Sequence, residues 1–337
     1  MGRRHAGERE RRMRALIEHN SRGVWRAART PRLLSRYGMV SLDGIVGVSK
    51  HNIWTVGAAA LSMSADSPSR ALIEHFNGRR WSITGALPAS QPALPVYRSL
   101  AAIVMVSRTD LWAVGRDGRR VLIEHYGGRT WKHVMAPSPK GQFASLTSVT
   151  AAGHNDVWAV GRVTSSNGRE HAFLEQYNGR AWQLVRGPRL NATSTSLLGV
   201  TAIGKADVWA VGQEWRPRTG QAPIEHYNGT GWSIVPSPFR AGASLSAVAA
   251  QSATNIWAVG YHGSASNSRW LVERYNGLKW MVVPGAGRSS SQSQLAGAAS
   301  VGPSQSWAVG YSFTKANPNL NEEGGLILHF VSCGSRG

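Results

Sequence analysis

Six glutamates recur at one place in a repeated pattern: Glu18, Glu74, Glu124, Glu175, Glu225 and Glu273. Histidine follows four of them, at His19, His75, His125 and His226. Carboxylate beside imidazole is metal-ligating chemistry, and six copies around a ring would surround a cation with oxygens. Two observations argue against it. Gln176 and Arg274 stand in the histidine position of the other two copies, so a metal ring would lose ligands there. The glutamate also shares its strand face with Leu and Tyr, which is a packing face. A group present in every repeat reads as structural, a carboxylate accepting hydrogen bonds from backbone or from an indole N–H.

The remaining acids offer little catalytic material. There are six Asp and twelve Glu, and Asp110, Asp156 and Asp207 fall in turns. What is left (Asp43, Asp66, Asp117, Glu8, Glu10, Glu170, Glu214, Glu322, Glu323) lies mostly in the N-terminal tail or in loop segments. Glycoside hydrolysis needs two carboxylates facing each other across a bond, and nothing singles out such a pair. Phosphate loop, nucleophile elbow and zinc spacing are all missing from the sequence. The expectation is a non-enzyme with no cofactor and no metal.

The elements that must carry these residues are short strands. "HNIWTVG", "TDLWAVG", "NDVWAVG", "ADVWAVG", "TNIWAVG" and "SQSWAVG" end at Gly57, Gly115, Gly161, Gly212, Gly260 and Gly310. They alternate with "LIEHNSRGVW", "LIEHFNGRRW", "LIEHYGGRTW", "FLEQYNGRAW", "PIEHYNGTGW" and "LVERYNGLKW". The period of about fifty residues is that of propeller blades. Each unit reads as four antiparallel strands. An Asx turn precedes the Trp, its side chain bonding the backbone two residues on. An Asn-Gly hairpin joins the third strand to the fourth. Twelve repeat tryptophans then form a core between blades. The predicted fold is all-β, a six-bladed β-propeller over residues 15–331 whose N-terminal outer strands dock on the C-terminal inner strands. Ala15–Asn20 and Leu326–Phe330 compete for one third-strand position.

The pattern resembles Kelch-type propellers, including the propeller domain of galactose-oxidase-like proteins. A Gly closes the second strand, then comes an aromatic (Tyr126, Tyr177, Tyr227, Tyr275), then a Trp five residues on. It departs in having one Gly where Kelch repeats carry two. The "G-x-x-W" hairpin is also similar to the Asp-box of sialidase-type propellers, with Tyr or Phe in place of the Asp. Most similar are the bacterial "WAVG…IEHYNGTSW" repeat proteins. The resemblance implies a fold and transfers no catalytic residue; Cys333, in the degraded last strand, does not supply the cysteine of an oxidase copper site.

Charge and composition bound the partners. Lys and Arg total 38 against 18 Asp and Glu, a formal net charge of +20. Residues 1–14 read as a basic, disordered arm, a potential holder of nucleic acid or an acidic polymer, although no aromatic stacking platform is interleaved with the charge. Residues 332–337 read as a tail. No apolar run is long enough for a membrane span, and no secretory signal follows the charged N-terminus. As it stands the sequence points to the cytoplasm, or to secretion if an upstream start is missing. One cysteine forms no internal disulfide.

Ligand contact is expected on the variable connections. Segments between second and third strands differ in every repeat, whereas the opposite turns are short and alike, and repeat proteins place variation on the binding face. Trp215 and Trp270 fall outside the repeat pattern, beside Arg216, Arg218, Tyr261, His262 and Arg269. Aromatics beside arginines suit a glycan, an acidic polymer or a protein. The bland readings are a loop packing on itself for Trp215 and an ordinary residue at a strand start for Trp270. The expectation is a binding module for protein or polysaccharide. The alternatives are an oxidase- or sialidase-like enzyme, or a degraded propeller fragment with no selected ligand.

Overall fold

The computed structural model describes residues 15–31, 37–62, 64, 67–85, 97–138, 143–188, 192–215, 222–239, 242–264, 267–284, 292–301, 305–317 and 320–331. The expected basic arm, the C-terminal tail with Cys333, and Arg216 and Arg218 lie outside them. All regular structure among the described residues is strand, as the alternating pattern requires, and no helix is long and apolar enough to cross a membrane.

The chain divides into two compact units. The first comprises residues 1–118 and 122–134. It holds a two-stranded sheet, β1 (Glu18–Ser21) with β2 (Val24–Ala27), and two four-stranded antiparallel sheets. The first of these is β3 (Met39–Ser49), β4 (Asn52–Ala60), β5 (Ser69–Phe76) and β6 (Trp81–Gly85). The second is β7 (Arg98–Ser107), β8 (Asp110–Asp117), β9 (Arg120–Tyr126) and β10 (Trp131–His133).

The second unit comprises residues 119–121 and 135–337. Its first sheet is β11 (Phe143–Gly153), β12 (Asp156–Thr164), β13 (Glu170–Tyr177) and β14 (Trp182–Val185). Next comes β15 (Ser194–Gly204), β16 (Asp207–Trp215), β17 (Ile224–Tyr227) and β18 (Trp232–Val235). Then come β19 (Ala243–Ser252), β20 (Asn255–His262), β21 (Arg269–Tyr275) and β22 (Trp280–Val282). A single bridge between Gln213 and Ser244 joins these last two sets into one eight-stranded sheet. The last sheet has three strands: β23 (Gln292–Val301), β24 (Gln305–Asn317) and β25 (Leu320–Val331).

That last sheet corrects the expected closure. The third-strand place beside β24 belongs to β25, with Ala308 opposite Leu328 and Trp307 opposite His329. The rival segment forms its own hairpin instead, with Asn20 opposite Trp25, and both of its strands are exposed. The longer β25 covers the whole inner strand, so contiguity in sequence favours it over a distant hairpin.

Repeat aromatics fill the space between successive sheets, except that Trp25, on the isolated hairpin, is exposed and stands outside that core. Trp54 packs on Tyr126 and Trp131 at centroid distances of 4.9 and 5.7 Å. Trp158 meets Tyr227 and Trp232, and Trp209 meets Tyr275 and Trp280, in the same tilted and edge-on poses. Each such burial contributes roughly 2–3 kcal/mol before conformational entropy is charged against it. The repeat glycine does not close the second strand but lies within it, and it has a local cause. A bulge displaces the first strand between Leu146 and Ser148, and a Cβ on Gly161 would fall on the Ser145 carbonyl oxygen.

The turns differ from expectation in their chemistry. The Asx residue before each Trp reaches the third strand rather than the backbone two residues on. Asn52 Oδ1 lies 2.7 Å from His75 Nε2, Asp207 Oδ1 2.9 Å from His226 Nε2, and Asp156 Oδ1 accepts from Gln176 Nε2 at 2.8 Å. Asn255 accepts from Arg274 Nε at 2.8 Å. The residue after each glutamate is therefore the partner of the Asx turn, which explains why His, Gln and Arg interchange there: each supplies an N–H donor. In the Asn-Gly hairpin only the glycine is left-handed, Gly179 at φ 89°. Asn178 acts through its side chain, whose Oδ1 accepts from the backbone of Arg180 and Ala181.

Candidate ligand cleft

The repeated glutamates are buried but not in the way expected. Glu74, Glu175, Glu225 and Glu273 are almost wholly inaccessible, and Glu124 nearly so. Glu18, on the isolated hairpin, is exposed and stands apart from the set. Both carboxylate oxygens of Glu74 and of Glu175 meet no hydrogen-bond donor of the protein. At Glu74 and Glu175 the expected backbone or indole donors are therefore missing. Glu273 differs: Ser237 Oγ donates to it at 2.8 Å, and the Phe239 backbone also hydrogen-bonds it. Desolvation of the charged form pushes Glu74, Glu124 and Glu273 up to about 7, and Glu175 and Glu225 up to about 8. Burial thus favours the neutral acid over the carboxylate at each of these positions. Among the described residues no group of three or more His, Cys, Asp or Glu is placed to hold a metal ion.

The residues proposed for ligand contact divide. Trp215 ends β16 and is 73% exposed. Tyr261 and His262 end β20 and pair with Trp270 and Arg269 across the strands. Both strand ends lie on one path of pairings: Gln213 opposes Ser244, and Ser244 opposes Tyr261. The His262 ring packs on Phe239 at 4.5 Å, and burial, helped by Arg269, moves its pKa down. Trp270 is partly buried against Trp257, Val259, Val272 and Leu295.

Trp215 instead borders a cleft that the repeat reading passed over. A cavity of about 290 Å³ is lined by Gly168, Glu170, Ser194, Thr195, Ser196, Gln213 and Trp215. Glu170 is not a loop residue; it begins β13, where the third strand of one sheet faces the first strand of the next. Its carboxylate is organised from two sides. Ser196 Oγ donates to Oε2 at 2.6 Å, and Arg162 Nε lies 3.3 Å from Oε1. The backbone is tied as well, with Glu170 N donating to Ser194 Oγ and Ala172 N to Thr195 Oγ1. A fixed carboxylate, an amide side chain and three hydroxyls thus stand beside one exposed indole. Polar groups held in place next to an aromatic plate bind a ring that has an apolar face and hydroxyl edges. Ser196 could have been found from the sequence, since it occupies the repeat position just before the bulge. Glu170 had no such signal, because its loop differs in length from every other.

No protein-family model matches the chain and no curated protein is similar to it. Solved structures are similar. YCF48 bound to a D1 peptide matches at 13% identity over 97% of this chain and 88% of that one, with a TM-score of 0.57. A mutant Aleuria aurantia lectin in complex with α-methyl-L-fucoside matches at 12% identity over 88% and 97%, with a TM-score of 0.53. A polysaccharide lyase, an ulvan lyase, matches at 9% identity over 88% and 79%, with a TM-score of 0.50. At these identities the likeness shows the fold, a propeller-type all-β chain built of four-stranded antiparallel sheets.

Proposed function

We propose that the chain is a six-bladed β-propeller binding module that takes a neutral sugar ring in the cleft beside Trp215 and does not transform it. The carrying observation is the exposed Trp215 indole next to the braced set Glu170, Ser196 and Gln213. Six inner strand pairs support the blade count. Glu170 is the one carboxylate among the residues lining the cleft, and acid–base cleavage of a glycosidic bond ordinarily uses two. Its oxygens are already engaged by Ser196 and Arg162, which suits an acceptor for sugar hydroxyls better than a proton donor. A lectin bound to a fucoside and a lyase acting on a polysaccharide are among the structures of similar fold, which supports a carbohydrate over the peptide carried by another.

The test is a calorimetric titration with a panel of methyl glycosides, α-methyl-L-fucoside among them, alongside methyl glucuronide and an unrelated peptide. Saturable binding of a neutral glycoside that is lost in Trp215→Ala, with no new reducing end released from the matching disaccharide, is the expected result. Binding of peptide but no glycoside, or turnover of the disaccharide, would overturn the reading.

A further inference from the structure

We infer that a second sugar site of the same construction is formed by Gln294, Tyr311 and Phe313, with the buried Ser268 holding Gln294 from behind, a proposal that rests on the reading of the Trp215 cleft. Strand register makes the equivalence explicit. Leu197 opposes Gly212 in one sheet, and Leu295 opposes Gly310 in the other. Ser196 therefore corresponds to Gln294, and Gln213 to Tyr311. Trp215 corresponds to Phe313, since Trp215 opposes Ser194 and Phe313 opposes Gln292. The third strand of the preceding sheet aligns as well. Gly161 opposes Phe173, and Gly260 opposes Leu271, which puts Ser268 in the place of Glu170.

The bonds are repeated along with the positions. Ser196 Oγ donates to Glu170 in the first cleft, and Gln294 Nε2 donates to Ser268 Oγ at 3.0 Å in the second. Ala172 N donates to Thr195 Oγ1, and Trp270 N donates to Ser293 Oγ. Tyr311 Oη donates to Gln294 Oε1 at 2.8 Å, bracing the amide as Arg162 braces Glu170. The aromatic is what separates these two places from the rest. Three residues beyond the closing glycine stand Trp215 and Phe313, but Ala60, Gly118, Thr164 and Gly263 in the other repeats. At the junction between them the two sheets are bridged directly at Gln213 and Ser244.

The second site has no carboxylate at the Ser268 position and a smaller aromatic plate. The ligand chemistry is again a neutral pyranose, stacked on Phe313 and hydrogen-bonded by Gln294 and Tyr311, with an affinity lower by up to about tenfold. The experiment is equilibrium dialysis at saturation with the tightest methyl glycoside of the panel, on the full chain and its variants, with melting curves taken on the same samples. Two moles bound per mole of protein are expected, falling to one in Trp215→Ala and to one in Phe313→Ala. Gln294→Ala serves as a second variant if Phe313→Ala melts early. One mole bound, lost in Trp215→Ala and unaltered in both Phe313→Ala and Gln294→Ala, overturns the second site while leaving the first reading intact. Absence of any glycoside binding removes both.

Discussion

The Ser237 hydroxyl donates to Oε1 of Glu273 at 2.8 Å, across 36 residues of chain. It ties the segment leaving β18 to the third strand of the following sheet. The same hydroxyl accepts from the backbone N–H of Phe239 at 3.2 Å, so its position is fixed before the carboxylate is met. Ser237→Ala should cost about 1–2 kcal/mol in a denaturant titration, the ordinary loss for one buried hydrogen bond. It should also raise the Glu273 pKa further, because this bond favours the charged form. A variant as stable as the parent would show that the bond is dispensable.

Buried acids give the fold a pH dependence of definite sign. Glu175 and Glu225 sit at about 8 in the folded chain against an ordinary value of 4.5. The folded state thus binds protons that the unfolded state releases between these values. Their contribution is complete below about pH 4.5 and is lost as the pH climbs through 8. Glu175→Gln, neutral at every pH, should flatten the decline of the melting temperature between pH 5 and pH 8.5 and raise it by several degrees at the alkaline end. An unchanged decline in the variant would mean that Glu175 is already ionised across that range.

Trp215 is exposed enough to be removed without harm to the fold. Trp215→Ala should change stability by no more than about 0.5 kcal/mol and lower glycoside affinity at least about tenfold, as expected for a stacking anchor. The two readouts are a melting curve and a titration on one sample. A large fall in melting temperature would assign Trp215 to the core instead.

On the proposed reading, Glu170 would set the charge preference of the cleft in a chain whose formal net charge is +20. Its carboxylate repels sulfate and uronate groups at close range, where solvent screening is weakest. Glu170→Gln should therefore admit methyl glucuronide, rejected by the parent, with a gain of about fivefold or more at low salt that fades at high salt. Equal or tighter binding of the anionic sugar by the parent protein would contradict this role.

Asp207 is the hub of a turn, accepting from His226 at 2.9 Å and from the Trp209 indole at 2.7 Å. Asp207→Ala should destabilise by roughly 2–3 kcal/mol, since two donors lose one acceptor. Asp207→Asn should recover part of the loss, because Asn52 and Asn255 do the same work elsewhere.

The repeat was legible because it is a property of one strand and its immediate neighbours. Period, alternation and the Asn-Gly hairpin fix which residues are strands and which face is apolar. Trp158 and its equivalents were assigned to the space between sheets on that basis, and they lie there. The Asx side chains were misread because their partner, at His75, Gln176 or Arg274, is on the next strand over. Local sequence shows a turn residue but not which donor reaches it.

What the sequence by itself determined is therefore the unit: four short strands, their order, the glycine under the bulge and the aromatic core. What only the tertiary structure decided is what happens where units meet. Glu175 is an acid whose desolvation comes from packing, so the upward shift of its pKa was invisible in a string that shows only a carboxylate. The choice of β25 over the N-terminal hairpin was a competition between two segments of matching pattern, settled by pairing along the full length of β24. The cleft depends on Glu170 from one sheet meeting Ser196 and Gln213 from the next. Residues that converge from separate sheets carry no spacing rule, because the loops between them set their distance in sequence while packing sets their distance in space.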